Sequence, residues 1–282
     1  MYDGKDELLV MHEDLKRALK KSMPDWAMLI DTRRCILCHA CTIGCMAEYK
    51  SPPGIRYRPM YEVEKGTYPG VSRQFVARPC QQCDNPPCVS ACPTNGKATW
   101  KSNNGIGNNI VMMNYEQCIG CGRCVAACPY GARNLDNGTF YTSETPSIPD
   151  MERGPAWEYD KKWIREGKNL PAGTARKCQF CYLRLKNSML PVCVTTCIGR
   201  ATYFGDLKDT DSLISKVMKS SKVVMLKEVK EAGEIAAKID ERGSKMSNRE
   251  WTALTRDAIK AYPGKNPVFG NSKTKPRVFY IV

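Results

Sequence analysis

The sequence lacks the long apolar runs and the nucleotide-binding motifs that mark several large classes of protein. No apolar run approaches the ~20 residues that a transmembrane helix needs, so we expect no direct membrane span. The first residues show no charged-then-apolar pattern typical of a secretion signal. No GxGxxG, P-loop or nucleophile motif occurs, so the sequence predicts no catalytic residue of its own.

Histidine is scarce, and apolar residues fall a little below their usual share. His12 and His39 are the 2 histidines, and apolar residues make up 42% of the chain. His39 lies between Cys38 and Cys41, where we expect it to hydrogen-bond a sulfur or a neighbouring subunit rather than to bind metal. Because ligation free energy adds to folding free energy, bound metal would replace part of the missing core, and the metal-free chain should fold poorly.

Cysteine is abundant by contrast, with 16 residues in four motifs of four. The motifs are Cys35-x-x-Cys38-x-x-Cys41-x₃-Cys45, Cys80-x-x-Cys83-x₄-Cys88-x₃-Cys92, Cys118-x-x-Cys121-x-x-Cys124-x₃-Cys128 and Cys178-x-x-Cys181-x₁₁-Cys193-x₃-Cys197. The third motif has the spacing of two-cluster bacterial ferredoxins, in which three cysteines hold one iron–sulfur cube and the fourth reaches the other. Gly120 and Gly122 leave its loop free to adopt positive φ and to point N–H groups at the sulfurs.

Crossed ligation of this kind sorts the cysteines into four sets, each predicted to bind the irons of one 4Fe–4S cluster. The sets are set one (Cys35, Cys38, Cys41, Cys197), set two (Cys178, Cys181, Cys193, Cys45), set three (Cys80, Cys83, Cys88, Cys128) and set four (Cys118, Cys121, Cys124, Cys92). No cysteine is left over, so we expect four clusters and neither a disulfide nor a free reactive thiol.

Disulfides and zinc are the alternatives to iron. A disulfide framework suits short secreted domains, whereas this chain is long and shows no secretion signal. Zinc is the stronger alternative for the motif from Cys178 to Cys197, because an isolated CxxC…CxxxC suits zinc as well as it suits iron. The three ferredoxin-type motifs beside it favour iron.

Basic residues outnumber acidic ones, 43 to 29, which gives a formal charge of +14. Four oxidised clusters with their thiolates would contribute about −8 and bring the loaded protein to about +6. Six basic residues lie close in sequence to a ligand cysteine and would raise reduction potentials by favouring the more negative reduced state: Arg33, Arg34, Arg78, Arg123, Arg176 and Lys177. Nucleic-acid binding would need a basic, aromatic stripe apart from the clusters; 154–186 is the candidate, and we expect no nucleic-acid partner.

The pattern of apolar residues and turns predicts an α+β fold of two interleaved bacterial-ferredoxin-like (βαββαβ) units with added loops. The predicted segments are an N-terminal helical extension (1–25), an outer unit with motifs one and four (26–79 and 165–205), an inner unit with motifs two and three (80–142), an insertion (143–164) and a helical C-terminal extension (206–282).

Predicted elements follow from the same patterns. They are an amphipathic helix closed by Pro24, strands at 26–31, 74–78, 201–205 and 275–282, an irregular loop at 46–75, a hairpin between Cys92 and Cys118, and helices at 211–220, 229–239 and 251–261. Trp157, Tyr159 and Trp163 form an aromatic group within the long loop 136–173. Such a group either anchors a partner or caps the core beneath it.

Three strings of residues resemble the iron–sulfur subunit of the complex iron–sulfur molybdoenzyme family, which includes the electron-transfer subunits of dimethyl sulfoxide, polysulfide, tetrathionate and thiosulfate reductases. The strings are CDNPPCVSACPT (83–94), CIGCGRCVAACPYGAR (118–133) and ATYFGDL (201–207). The order of the four motifs matches as well. Relatives of the nitrate reductase kind have tryptophan in place of Cys121 and hold a 3Fe–4S centre, so the resemblance implies four 4Fe–4S clusters here. The segments 1–25 and about 228–272 depart from the family pattern.

The resemblance implies a non-catalytic subunit that relays single electrons through the four clusters. Its implied partners are a molybdenum or tungsten bis-pterin catalytic subunit and an integral membrane quinone-binding subunit. It would associate with the membrane through these partners, on the extracytoplasmic face by co-export, with the cytoplasmic face as the alternative. A free-standing polyferredoxin is the alternative function. Chemistry at an open iron is disfavoured, because no motif lacks a fourth cysteine.

Overall fold

The computed structural model describes residues 4–164, 169–228 and 267–282. The α-helices of this described part are α1 (Glu7–Leu19), α2 (Ala40–Glu48), α3 (Pro87–Ser90), α4 (Arg123–Ala126), α5 (Asp150–Arg153), α6 (Tyr182–Lys186), α7 (Val192–Thr195) and α8 (Leu213–Ser220). Its strands are β1 (Trp26–Asp31), β2 (Met60–Lys65), β3 (Ser72–Ala77), β4 (Thr99–Lys101), β5 (Val111–Met113), β6 (Asn134–Leu135), β7 (Ala156–Glu158), β8 (Lys161–Trp163), β9 (Ala175–Arg176), β10 (Thr202–Asp206), β11 (Val223–Met225) and β12 (Val278–Ile281). This mixture confirms the predicted helix-and-strand class. The helices predicted at 229–239 and 251–261 lie outside the described residues.

A four-stranded sheet in the order β10-β1-β12-β11 carries much of the core. Strand β1 is buried along its whole length, as its nearly continuous apolar sequence WAMLID requires. Strand β10 pairs antiparallel to it, with Trp26 opposite Asp206, and β12 pairs parallel to it, with Met28 opposite Val278. The predicted strands at 26–31, 201–205 and 275–282 are confirmed, and this one sheet joins them.

Helix α1 packs against β10 and α8. Its N-terminus is capped by the Asp6 carboxylate, which accepts a hydrogen bond from the Leu8 N–H at 2.9 Å. Met11 and Leu15 are buried, whereas Leu9 on the opposite face is 60% exposed. The apolar face predicted for the N-terminal segment therefore lies mainly on the protein itself.

The end of α1 differs from the prediction. The helix ends at Leu19, well before Pro24, so Pro24 does not close it. Instead, the N–H groups of Lys20 and Lys21 donate to the carbonyls of Arg17 and Ala18 in a tightened last turn. Lysine-rich sequence beyond this turn has no apolar face to bury, so the helix stops there.

The prediction of an irregular loop over 46–75 is wrong in its second half. Strands β2 and β3 form an antiparallel hairpin in which Met60 lies opposite Ala77 and Lys65 opposite Ser72. Val63 is buried while its neighbours along β2 point outward, which is the alternation typical of a half-buried strand. Gly66 has φ +91°, and a Cβ there would collide with the Gly70 carbonyl, so the turn depends on glycine.

The long loop 136–173 contains α5 and the β7–β8 hairpin. Tyr159 and Trp163 pack edge-on against the buried Tyr115, with ring centroids 5.4 and 5.2 Å apart from its own. Trp157 is 50% exposed. Two of the three aromatic residues therefore cap the core, and Trp157 leaves half of its surface free for a partner.

The short helices beside the cysteine loops pack in pairs. Helix α2 of the first motif packs against α7 of the fourth, and α3 of the second packs against α4 of the third. The hairpin predicted between Cys92 and Cys118 is present as β4 and β5. No helix within the described ranges has the length and apolar character that crossing a membrane requires.

Candidate metal centres

Three of the four predicted cysteine sets each line one cavity. Set four, set one and set three each surround a separate cavity. Each cavity contains the four cysteines of its own set and no cysteine of another set. Residues as far apart in sequence as Cys35 and Cys197 therefore meet, as crossed pairing predicts.

Set two also converges. Cys45 and Cys181 are buried in one small apolar cluster, with Cys178 packed against it. Burial raises the pKa of the Cys45 thiol, and the thiolates of Cys181, Cys178 and Cys193 raise it further. The structure thus brings together twelve of the predicted site residues around three cavities, and the four cysteines of set two lie near one another without a cavity of their own.

Positive-φ residues shape the cysteine loops. His39, Gly122 and Cys181 occupy left-handed conformations directly before α2, α4 and α6, so the chain can turn sharply from each loop into its helix. Gly120 has φ +66°, and a Cβ there would collide with the carbonyl oxygen of Gly173. His39 is not buried, and it lines the cavity of set one.

Backbone N–H groups point at several sulfurs. Ala132 N lies 3.3 Å from Cys128 Sγ, and Ala201 N lies 3.2 Å from Cys197 Sγ. In both cases the cysteine is the last of its motif, and the donor N–H belongs to the residue four positions after it. Such donors stabilise negative charge on a thiolate, which is the ligand form of cysteine.

The four cysteine sets differ in how far their cysteines are exposed to solvent. Cys38 of set one and Cys121 of set four are the two exposed cysteines. In sets two and three every cysteine is buried except Cys178, which is half-buried. Water therefore reaches sets one and four more readily than sets two and three.

The sets adjoin one another in a fixed order. Burial raises the pKa of Cys193 in set two; Arg58 opposes that rise, and Cys41 of set one adds to it. Burial also raises the pKa of Cys178 in set two to about 12, and its next cause is Cys80 of set three. Set two is therefore the neighbour of both set one and set three.

Set four adjoins set three in the same way. Burial raises the pKa of Cys124 to about 12; Arg133 opposes the rise, and Cys88 of set three adds to it. The four sets follow one another as one, two, three and four.

The six basic residues predicted to lie near the clusters have different environments. Lys177 is fully buried, and its Nζ donates to the Cys178 carbonyl at 2.7 Å. Arg176 is also buried, but it is held by carboxylates: Asp136 at 2.9 Å and Glu158 at 2.5 Å. Lys177 therefore fits the predicted role beside the clusters, whereas Arg176 mainly binds together parts of the fold.

The other four basic residues differ in their placement. Arg34 lines the cavity of set one, as predicted, and also pairs with Glu7 at 2.9 Å. Arg33 is 61% exposed and pairs with Asp31 at 2.7 Å. Arg78 is buried with its guanidinium over the Tyr61 ring, and Arg123 begins α4.

Two further buried arginines line cysteine cavities, and they were not among the six predicted basic residues. Arg58 lines the cavity of set one, and Arg133 lines that of set three. Arg133 ends the quoted CPYGAR string, so nearness to Cys128 was a usable signal. Arg58 stands in the segment predicted as an irregular loop, and no local pattern distinguishes it.

Fold and site together define a protein built from 4Fe–4S domains of the bacterial ferredoxin kind. Family models described as "4Fe-4S dicluster domain" match residues 27–105, 79–132 and 164–207.

Curated relatives narrow this class. The B subunit of selenate reductase from Mesobacillus selenatarsenatis is 48% identical over 79% of this chain and 75% of its own. The B subunit of polysulfide reductase from Wolinella succinogenes is 35% identical over 72% of this chain and 87% of its own. The B subunit of tetrathionate reductase from Salmonella typhimurium is 36% identical over 68% of this chain and 62% of its own. The protein belongs to the family of iron–sulfur B subunits of the complex iron–sulfur molybdoenzymes, as its motifs predicted.

Proposed function

We propose that this chain is the electron-transfer subunit of a reductase complex and holds four 4Fe–4S clusters, one in each cysteine set. It passes single electrons between a molybdenum or tungsten bis-pterin catalytic subunit and a quinone-linked membrane subunit. The observation that carries the proposal is the order of the sets: they form a line, and its two ends alone have an exposed cysteine, Cys38 and Cys121. An electron carrier needs this arrangement, because electrons must enter and leave at the surface while the middle stays shielded from water.

The residues of each set fit a cubane cluster. Within the described parts of the chain, no three His, Cys, Asp or Glu side chains converge closely enough to hold one metal ion. The cysteines of sets one, three and four instead surround cavities, as thiolates bound to different corners of a cluster must. Donors such as Ala132 N–H and Ala201 N–H add hydrogen bonds to ligand sulfurs, which is one of the means by which proteins tune cluster potentials.

When bound, each cluster supplies one-electron oxidation and reduction. The chain holds the sulfurs in place, excludes water from sets two and three, and places buried cations beside the cavities. In this proposal the outer unit (26–79 and 165–205) supplies sets one and two, and the inner unit (80–142) supplies sets three and four. Pairing of α2 with α7 and of α3 with α4 supports that division.

Exposed apolar side chains stand close in sequence to the cysteines of set one. Ile36 and Ile198 follow Cys35 and Cys197 directly, and Ile43 is two residues after Cys41; they are 61%, 68% and 63% exposed. Exposed isoleucines grouped around a redox site suit a protein partner better than water. At the other end, Ile119 beside Cys118 is 68% exposed. We propose that one partner docks at each end.

Purification of the complex under anaerobic conditions tests the function. We expect about sixteen irons and about sixteen sulfides per chain, four of each per cluster, together with a pterin-containing subunit. Zinc in place of iron in set two would reduce the count to three clusters and contradict the four-cluster proposal. A loaded chain that purifies alone from cells producing the whole complex would favour a free-standing polyferredoxin.

Surface variants test the two docking ends. Ile36→Glu should weaken association with one partner and Ile119→Glu with the other, because each places a charge in a proposed apolar contact. Tyr68→Glu is the matched control, since Tyr68 is 91% exposed and lines none of the cluster cavities. Equal binding by all three variants would contradict docking at the ends.

We also propose that the subunit associates with the membrane through its partners, on the extracytoplasmic face by co-export. Protease added to intact spheroplasts should then degrade it. Protection until the cells are lysed would place it on the cytoplasmic face.

A further inference from the structure

Arg58 and Arg133 make the same pair of contacts in different parts of the fold. Arg58 Nη1 lies 3.1 Å from Met28 Sδ, and its Nη2 donates to Thr202 Oγ1 at 2.7 Å. Arg133 Nη1 lies 2.8 Å from Met113 Sδ, and its Nη2 donates to a threonine hydroxyl, Thr99 Oγ1, also at 2.8 Å. Both arginines are 2% exposed.

The contacts come from equivalent strands. Met28 on β1 and Met113 on β5 each stand on the strand that leads into a CxxCxxCxxxC motif. Their threonine counterparts stand on β10 and β4, which follow the two motifs with longer central spacing. Strand β1 pairs antiparallel with β10, and β4 with β5. The same arginine, methionine and threonine device is thus built twice.

Each device lies between two neighbouring cysteine sets. Arg58 lines the cavity of set one, and its backbone carbonyl accepts a hydrogen bond at 2.7 Å from Thr42 Oγ1, on α2 between Cys41 of set one and Cys45 of set two. Arg133 lines the cavity of set three, and its two contact partners, Met113 and Thr99, line the cavity of set four. The first cation therefore serves sets one and two, and the second serves sets three and four.

Neither guanidinium group is neutralised by these contacts. The thioether and the hydroxyl are uncharged partners, in contrast to the two carboxylates that hold Arg176. In each case the Nε atom is buried and has no hydrogen-bond partner among the described residues. Arginine does not lose its proton in proteins, so each device keeps a full positive charge in a buried site.

We propose that Arg58 and Arg133 are matched positioning residues that set reduction potentials in pairs, Arg58 for clusters one and two and Arg133 for clusters three and four. This inference rests on the proposed function, because it requires the sets to hold clusters. A buried positive charge stabilises the more negative reduced state, and so it raises the potential. Since the interaction weakens with distance, each arginine acts mainly on its own pair.

Potentiometric titration of the full complex, followed by the EPR signals of the individual clusters, tests the inference. In Arg58→Gln, the ratio of reduced to oxidised cluster at a fixed potential should fall at least tenfold for clusters one and two, a shift of about 59 mV for a one-electron couple. Clusters three and four should keep their wild-type potentials. Arg133→Gln should give the reverse pattern, while Arg58→Lys and Arg133→Lys, which keep the charge, should restore most of each shift.

A second pair of variants covers a failure of the glutamine variants to load clusters. Thr202→Asp places a carboxylate beside Arg58 and should lower the same two potentials, whereas the isosteric Thr202→Asn should not. Thr99→Asp and Thr99→Asn test Arg133 in the same way.

Different outcomes separate this inference from the proposed function. Full loading with unchanged potentials in Arg58→Gln, or an equal shift of all four clusters, would overturn the pairing of arginines with clusters. Equal potentials in Thr202→Asp and Thr202→Asn would do the same. A wild-type chain with far fewer than about sixteen irons would instead overturn the proposed function itself.

Discussion

Arg176 and Glu158 form an ion pair at 2.5 Å in which both side chains are fully buried. The pair joins the end of β7 to β9, directly before the fourth cysteine motif. Tyr115 donates to the same carboxylate at 2.7 Å, and Arg176 also binds Asp136. Parts of the chain far apart in sequence are therefore fixed to one another by a single polar network.

Arg176→Met should destabilise the protein strongly. It leaves two buried carboxylates unpaired, and breaking a buried pair from one side costs about 3–5 kcal/mol. The matched control is Lys186→Met, which breaks an exposed pair with Asp160 at 2.9 Å and should cost about 0–1 kcal/mol. Anaerobic thermal loss of cluster absorbance measures both, and similar midpoints for the two variants would contradict a stabilising role for the network.

Cys92→Ser tests the crossed ligation. Cys92 lies in the same motif as Cys83, but it lines the cavity of Cys121. We therefore expect Cys92→Ser to alter the EPR signal that Cys121→Ser alters, and to leave unchanged the one altered by Cys83→Ser. If Cys92→Ser and Cys83→Ser affect one signal, ligation follows sequence order and the assignment of the sets is wrong.

Gly120→Ala should reduce the loading of cluster four. The alanine Cβ would collide with the Gly173 carbonyl, and the alanine backbone would also have to adopt φ +66°. Gly96→Ala is the control, because Gly96 has φ +83° but open space around it, so it carries the left-handed cost of about 1–2 kcal/mol alone. Iron analysis and the EPR signal of cluster four distinguish the variants, and equal loading would show that the close approach is unimportant.

Met11→Ala should lower the thermal midpoint of the protein by on the order of 5–15 °C. Met11 lies on the buried face of α1 and is 1% exposed, and removing a buried side chain of this size costs about 2–5 kcal/mol. Leu9→Ala, on the exposed face of the same helix, should change stability by less than about 0.5 kcal/mol. Equal midpoints for both variants would mean that α1 contributes little to stability.

Removal of iron should unfold much of the chain. Each cluster would tie together segments from two cysteine motifs, so removing iron removes the ligation free energy that holds these segments together. Far-ultraviolet circular dichroism should lose much of its intensity on iron chelation and regain it after anaerobic reconstitution with iron and sulfide. An unchanged spectrum without metal would show that the polypeptide core suffices.

The cysteine motifs are local patterns that can be read from the sequence, and the four predicted sets follow from them. A loop around a cluster is short, so its chemistry is written within a few neighbouring residues. The strand at 26–31 was equally accessible, because a short apolar run predicts a buried strand wherever it packs. The strand predicted at 74–78 overlaps β3, but β2 was missed because proline- and glycine-rich neighbours masked its alternation.

The equivalent placement of Arg58 and Arg133 could not be predicted from local patterns. Arg58 follows Cys45 by thirteen residues and Arg133 follows Cys128 by five, so their equivalence is invisible as a repeat. The equivalence becomes visible only in the structure, where each guanidinium contacts a methionine and a threonine on two paired strands.

The sequence by itself determined the family, and it predicted the ligands and their division into four sets, because thiolate spacing around a cluster is a local property of the polypeptide. Tertiary structure alone decided which sets lie at the surface, in what order they adjoin, and which buried cations stand between them. Those features depend on packing between segments up to about 250 residues apart, such as Trp26 and Arg277, whose backbone oxygen and guanidinium meet at 3.0 Å. No local pattern encodes such a contact.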